Sequence, residues 1–114
     1  RADSAAALAQ VDVAMRQEEG ARRRVQTETA VLYQTAVSAR ESWQSGRASA
    51  SRLEQAANMT ARAYQLGEGS LNDLLTARRL ANEAQLTERQ MRLDALEFRY
   101  RLLLDAHQLW DFDE

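Results

Sequence analysis

His107 is the single histidine of the 114 residues, and no cysteine accompanies it. A metal held there would have to be completed by carboxylates such as Asp105 or Asp111, at spacings that fall short of a ligand set. A structural histidine at a helical seam, beside Trp110, is the simpler reading. Glu18 and Glu19 are adjacent acids on open helix surface, with nothing to shape a pocket around them. Gly67-Glu68-Gly69 lacks both the preceding strand and the further glycines of a phosphate loop. Arg22-Arg23-Arg24 reads as a solvated face before it reads as a partner-binding patch. The expectation is no enzyme, no metal site and no cofactor.

Composition points to what positions these residues. Apolar residues make up 45% of the chain but aromatics only 6%, and proline is absent. Ala, Leu, Glu, Gln and Arg dominate, the composition of long helices and coiled coils, and without proline nothing forces a break. All 15 basic residues are Arg, which we read as a base-composition bias of the genome. Net charge is −2 with acids and bases interspersed, against the basic face that a nucleic-acid partner requires. Zero cysteine excludes disulfides without choosing a compartment. No apolar run approaches the ~20 residues of a membrane-spanning helix. The chain opens on Arg1 without Met, as expected of a segment of a longer protein, so a missing targeting signal carries no weight.

The organising stretch is Tyr64–Leu75, which holds two of the four glycines. Gly67 stands where a helix C-cap wants a residue tolerant of positive φ. Three residues on, Ser70 is placed as an N-cap, with Asp73 spaced to reach back in a capping box and to suit the helix dipole. Stop and start signals so close together predict a tight turn, residues 66–70, between antiparallel helices.

Before the turn, a seven-residue pattern runs without a phase slip from Leu8 through Val25, Leu32, Ala39, Trp43, Gly46, Ala50, Leu53, Ala57 and Thr60 to Tyr64. That is the stripe of a left-handed coiled coil. A continuous helix over about 4–65 would be a rod of about 90 Å. Gly20 and Gly46 are its weak points, at roughly 1 kcal/mol each. Gly46 falls on the stripe, where a missing side chain can admit a close neighbour, and a fold-back at Gly20 is the competing outcome.

After the turn, over about 71–110, two stripes lie side by side. One is Leu75, Arg79, Asn82, Leu86, Arg89, Leu93, Leu96, Tyr100, Leu103; the other is Leu74, Ala77, Ala81, Ala84, Met91, Ala95, Phe98, Leu102. Two stripes exceed what a two-helix seam needs, so this helix should contact helices on both sides. Folding about the turn predicts that residues whose numbers sum to about 135 lie level. Leu75, Leu86, Leu93 and Leu96 would then face Thr60, Ala50, Trp43 and Ala39; further out, Tyr100, Leu103 and Trp110 would face Ala36, Leu32 and Val25. Residues 1 to about 24 are left without a partner in this chain, an overhang of roughly 35 Å. The predicted fold is all-α: one long antiparallel coiled-coil hairpin, residues 1–114, of two unequal helices that oligomerises.

Tyr64, Gly67, Ser70-Leu71, Asp73-Leu74-Leu75 and Ala77 resemble the Y-x-x-G-x-x-S-hydrophobic-x-D-hydrophobic-L-x-A signature of the TolC-like outer-membrane efflux proteins. The similarity extends in helical pattern from about residue 20 to Leu109, and Arg99-Tyr100-Arg101-Leu102-Leu103-Leu104 looks like the region leaving the tip in that family. The resemblance implies a trimeric channel in which a periplasmic adaptor meets hairpin tips and joins them to an inner-membrane pump. It implies adaptor contact at Leu66, Gly67, Glu68, Gly69 and Ser70, and aperture positions at Tyr64, Asp73 and Thr76. Some relatives carry Arg where Gly69 stands and Asp where Thr76 stands; neither charge is present here, so a charged latch is not carried over. The tip is worded more like heavy-metal than drug efflux relatives. A structural coiled-coil arm in an unrelated scaffold protein is the alternative.

Overall fold

The structure is a computed structural model and describes residues 2–113, with side chains described over 2–107. It contains two helices, α1 (Ala2–Gln65) and α2 (Leu71–Asp113). α1 passes both internal glycines without a break, so the fold-back at Gly20 does not occur. Two weak positions cost roughly 1 kcal/mol each. Interrupting the helix would cost a fresh nucleation and new unsatisfied backbone groups at two more ends. α2 runs a turn beyond the expected stop near residue 110, because acid at a helix C-terminus costs only a few tenths to about 1 kcal/mol. Among the described residues no helix is long and apolar enough to cross a membrane.

The contacts divide the chain into two units. The first, Thr35–Arg99, is the hairpin proper. Its α1 seam is the predicted one: Ala39, Trp43, Gly46, Leu53 and Thr60 are half-buried, and Ala50 and Ala57 are buried. The α2 seam is the second stripe, not the first. Ala81 is buried, and Leu74, Ala77, Ala84, Met91, Ala95 and Phe98 are half-buried, whereas Leu75, Leu86, Leu93 and Leu96 are exposed. The expected facing pairs Thr60–Leu75, Ala50–Leu86, Trp43–Leu93 and Ala39–Leu96 therefore do not form the seam. Ala57 and Ala81 are both 0% exposed. Alanine against alanine lets two backbones approach closely and fill the space between them without voids, which facing leucines would prevent.

Register nonetheless follows the arithmetic. Cross-helix pairs have residue numbers summing to between 131 and 139, as in Trp43–Glu88 and Glu54–Gln85. The Trp43 indole Nε1 donates to Glu88 Oε1 at 3.0 Å, and Arg92 stands 3.5 Å from the other carboxylate oxygen. The Arg47 guanidinium lies 5.4 Å from the centre of the Trp43 ring. Nearer the turn, Glu54 accepts from Arg78 and from Gln85, both at 2.8 Å, and Arg78 also donates to Asn58. These half-exposed polar links add little stability, but each is satisfied at one register only. At Gly46 a Cβ would stand 2.7 Å from Met91 Sδ, so the missing side chain does admit its neighbour.

The second unit comprises residues 1–34 and 100–114. From Ala2 to Glu19 every residue is exposed, including Leu8, Val11 and Met15. Ala21, Val25, Thr29 and Leu32 are half-buried, as are Leu102 and Asp105 on α2, while Leu103 is exposed. The change of stripe seen in the hairpin thus holds here too. Trp110, expected opposite Val25, lies outside the described side chains.

Candidate docking tip

α1 ends in a Schellman motif. The Glu68 N–H donates to the Ala63 carbonyl at 2.8 Å and the Gly67 N–H to that of Tyr64 at 3.0 Å. Gly67 has φ +76°, the left-handed conformation that the motif demands at this position and that L side chains avoid. Ser70 then starts α2: its Oγ accepts the Asp73 N–H at 3.0 Å, and its carbonyl accepts the Leu74 N–H at 3.2 Å. The return half of the predicted capping box, from Asp73 to the Ser70 amide, is not made. Asp is one methylene shorter than the glutamate that usually closes the box, and Asp73 acts instead as an acid in the first turn. Arg62 complements the other dipole in the last turn of α1.

Gly69 differs in kind from Gly67. Its φ is not positive, and a Cβ there would meet Ala63 Cβ at 3.4 Å, ordinary contact. Neither conformation nor space demands glycine at 69.

The expected site residues separate into two groups. Glu68, Gly69, Asp73 and Thr76 line one open groove beside the turn, together with Met59 and Ala63. Tyr64, Leu66, Gly67 and Ser70 do not line it. Leu66 is 66% exposed and Tyr64 42%, and Leu71 is exposed beside them. Met59 was not singled out in the sequence, although it is exposed on the groove wall. Its signal is its position: it precedes the seam residue Thr60, just off the stripe, where a large apolar residue has no helix of this chain to cover it.

The Gly67 and Glu68 N–H groups close the cap of α1, and the Ser70 hydroxyl and carbonyl accept the first bonds of α2. Facing outward are the apolar Tyr64, Leu66 and Leu71 among the polar Gln65, Ser70 and Asn72 and two acids, Glu68 and Asp73. Among the described residues no group of three His, Asp or Glu converges to hold a metal. His107 is exposed, not seated in the seam where a structural histidine was expected. In comparisons with family models, curated proteins and solved structures, the chain finds no match.

Proposed function

We propose that the chain is a periplasmic hairpin of an outer-membrane efflux channel in a tripartite export system. In this reading the paired helices are wall elements, other copies of the chain stand beside them in a trimer, and the tip docks a periplasmic adaptor. Leu66, Gly67, Glu68, Gly69 and Ser70 make the adaptor contact; Tyr64, Asp73 and Thr76 lie at the aperture. The inner-membrane pump is reached only through the adaptor, and the cargo, heavy-metal ion or drug, passes through without a binding site here.

The observation that carries the reading is the agreement between the signature and the mechanics of the turn. Its Gly, Ser and Asp, spaced by three, are the residues that cap α1, cap α2 and open α2, and they hold Tyr64 and Leu66 out in solvent. A turn that merely reversed a coiled-coil arm would be free to cover those side chains or make them polar.

The test places a photo-crosslinking residue at Glu68 of the full-length protein in cells. Capture of a periplasmic adaptor is expected. Capture of cytosolic partners alone would reject the docking role in favour of a scaffold arm.

A further inference from the structure

The hairpin unit has two broad faces, one on each side of its seam. The contacts of Arg78 and Gln85 with Glu54, and of Arg92 with Glu88, mark one of them. Helical spacing from the seam places Arg40, Arg47, Arg89 and Arg99 on that face as well. The acids there are already engaged. Glu54 accepts from Arg78 on one carboxylate oxygen and from Gln85 on the other, and Glu88 is shared between Trp43 and Arg92. Among the described residues no carboxylate pairs with Arg40, Arg47, Arg89 or Arg99. In the observed register Arg40 and Arg47 stand level with Ala95 and Glu88, so these four charges fall within about 17 Å of hairpin length. Acids and bases are interspersed along the chain, but folding gathers the arginines on one side.

The same face is apolar at two levels. Val37 stands level with Leu96, and Ala61 with Leu75, about 32 Å away along α2. Leu75 and Leu96 are exposed, while Val37 and Ala61 are half-buried. Between the two levels the groove separating α1 from α2 is polar. Arg40 and Arg47 are seven residues apart, and so are Arg92 and Arg99. A helix laid along the groove returns the same side of itself at that interval, and charges flanking its apolar stripe choose its partner. A lipid surface or a flexible polyanion would gain nothing from the repeat. Copies of this chain stacked broad face on broad face would continue without closing.

We propose that the arginine face docks an acidic amphipathic helix of another protein, lying in the groove between α1 and α2. Carboxylates at seven-residue spacing pair with Arg40, Arg47, Arg89 and Arg99, whose planar forks suit that group. Apolar residues of the same helix meet Val37 with Leu96 at one end and Ala61 with Leu75 at the other. Exposed ion pairs add little affinity each, so the arginines select the partner and the apolar ends hold it. The surface lies apart from the tip and does not rest on the export role.

The test titrates the chain with a synthetic helical peptide of about 28 residues, with leucine and glutamate each recurring at heptad positions. Saturable binding is expected, and raising the salt should weaken it. Replacing the glutamates by glutamine, or introducing Arg40→Gln with Arg89→Gln in the chain, should raise the Kd about tenfold or more. Arg52→Gln, on the opposite face, should leave it unchanged. These arginines are exposed, so the variants should keep the helical content of the wild type. No binding by the wild-type chain, equal binding of the glutamine peptide, or an equal loss from Arg52→Gln would overturn the proposal. So would a patch that serves another occupant. That outcome would be self-association without peptide, or binding to phosphatidylglycerol vesicles in place of the peptide, lost in the Arg40 and Arg89 variant.

Discussion

Gly67 and Gly69 sit two residues apart and answer to different physics. With φ at +76°, residue 67 brings any Cβ too close to the neighbouring carbonyl, a cost of about 1–2 kcal/mol. A β-branched residue adds its own χ1 restriction. Gly67→Val should therefore lower the urea midpoint by an amount equivalent to about 2 kcal/mol or more, and Gly69→Ala should leave it nearly unchanged. Equal losses from the two substitutions would show that the Schellman motif is not what sets the turn. Ser70→Ala removes the one side-chain cap of α2 and should cost about 1 kcal/mol in the same measurement. The caps at Gly67 and Ser70 were legible in the sequence, because capping is local and depends on residue type at fixed offsets; that Gly69 answers to neither conformation nor space was not. The return bond from Asp73 was not, because it turns on the length of one methylene.

Within α1 the contrast is between two glycines of the same helix. Around Gly20 a Cβ would meet nothing within 4 Å, so Gly20→Ala should gain the full helical preference of alanine, about 1 kcal/mol. At Gly46 the same preference is opposed by Met91, whose sulfur would stand 2.7 Å from the new carbon. Thioether side chains can swing aside, so Gly46→Ala should come out close to neutral. Gly46→Leu should cost about 1–3 kcal/mol by overpacking. Helix content against temperature checks the first, and denaturant unfolding the other two. A stabilising Gly46→Leu would mean that Met91 does not occupy the notch. The stripe of α1 was readable because a single run of apolar and small positions held one phase from Val25 to Thr60. α2 offered two such runs displaced by one residue, about 100° around the helix. Hydrophobicity favoured the leucines, and close approach favoured the alanines. No count of apolar positions decides between those, since it does not register how near two backbones can come.

For the whole molecule the consequence is a division of labour between alanine and leucine. The intramolecular seam takes Ala50, Ala57 and Ala81 alongside Leu74, Met91 and Phe98, and the leucines at 75, 86, 93 and 96 are left exposed. Two substitutions separate this arrangement from the leucine seam that the pattern alone suggested. Ala81→Leu inserts three carbons where nothing is exposed, and should destabilise the isolated chain by about 1–3 kcal/mol. Leu86→Ala removes a side chain that is 57% exposed, and should change the same chain by no more than about 0.5 kcal/mol. Both are to be measured by urea unfolding at a concentration low enough to keep chains apart. A leucine seam would reverse the order, with the loss at 86 reaching the 2–5 kcal/mol typical of a buried Leu→Ala.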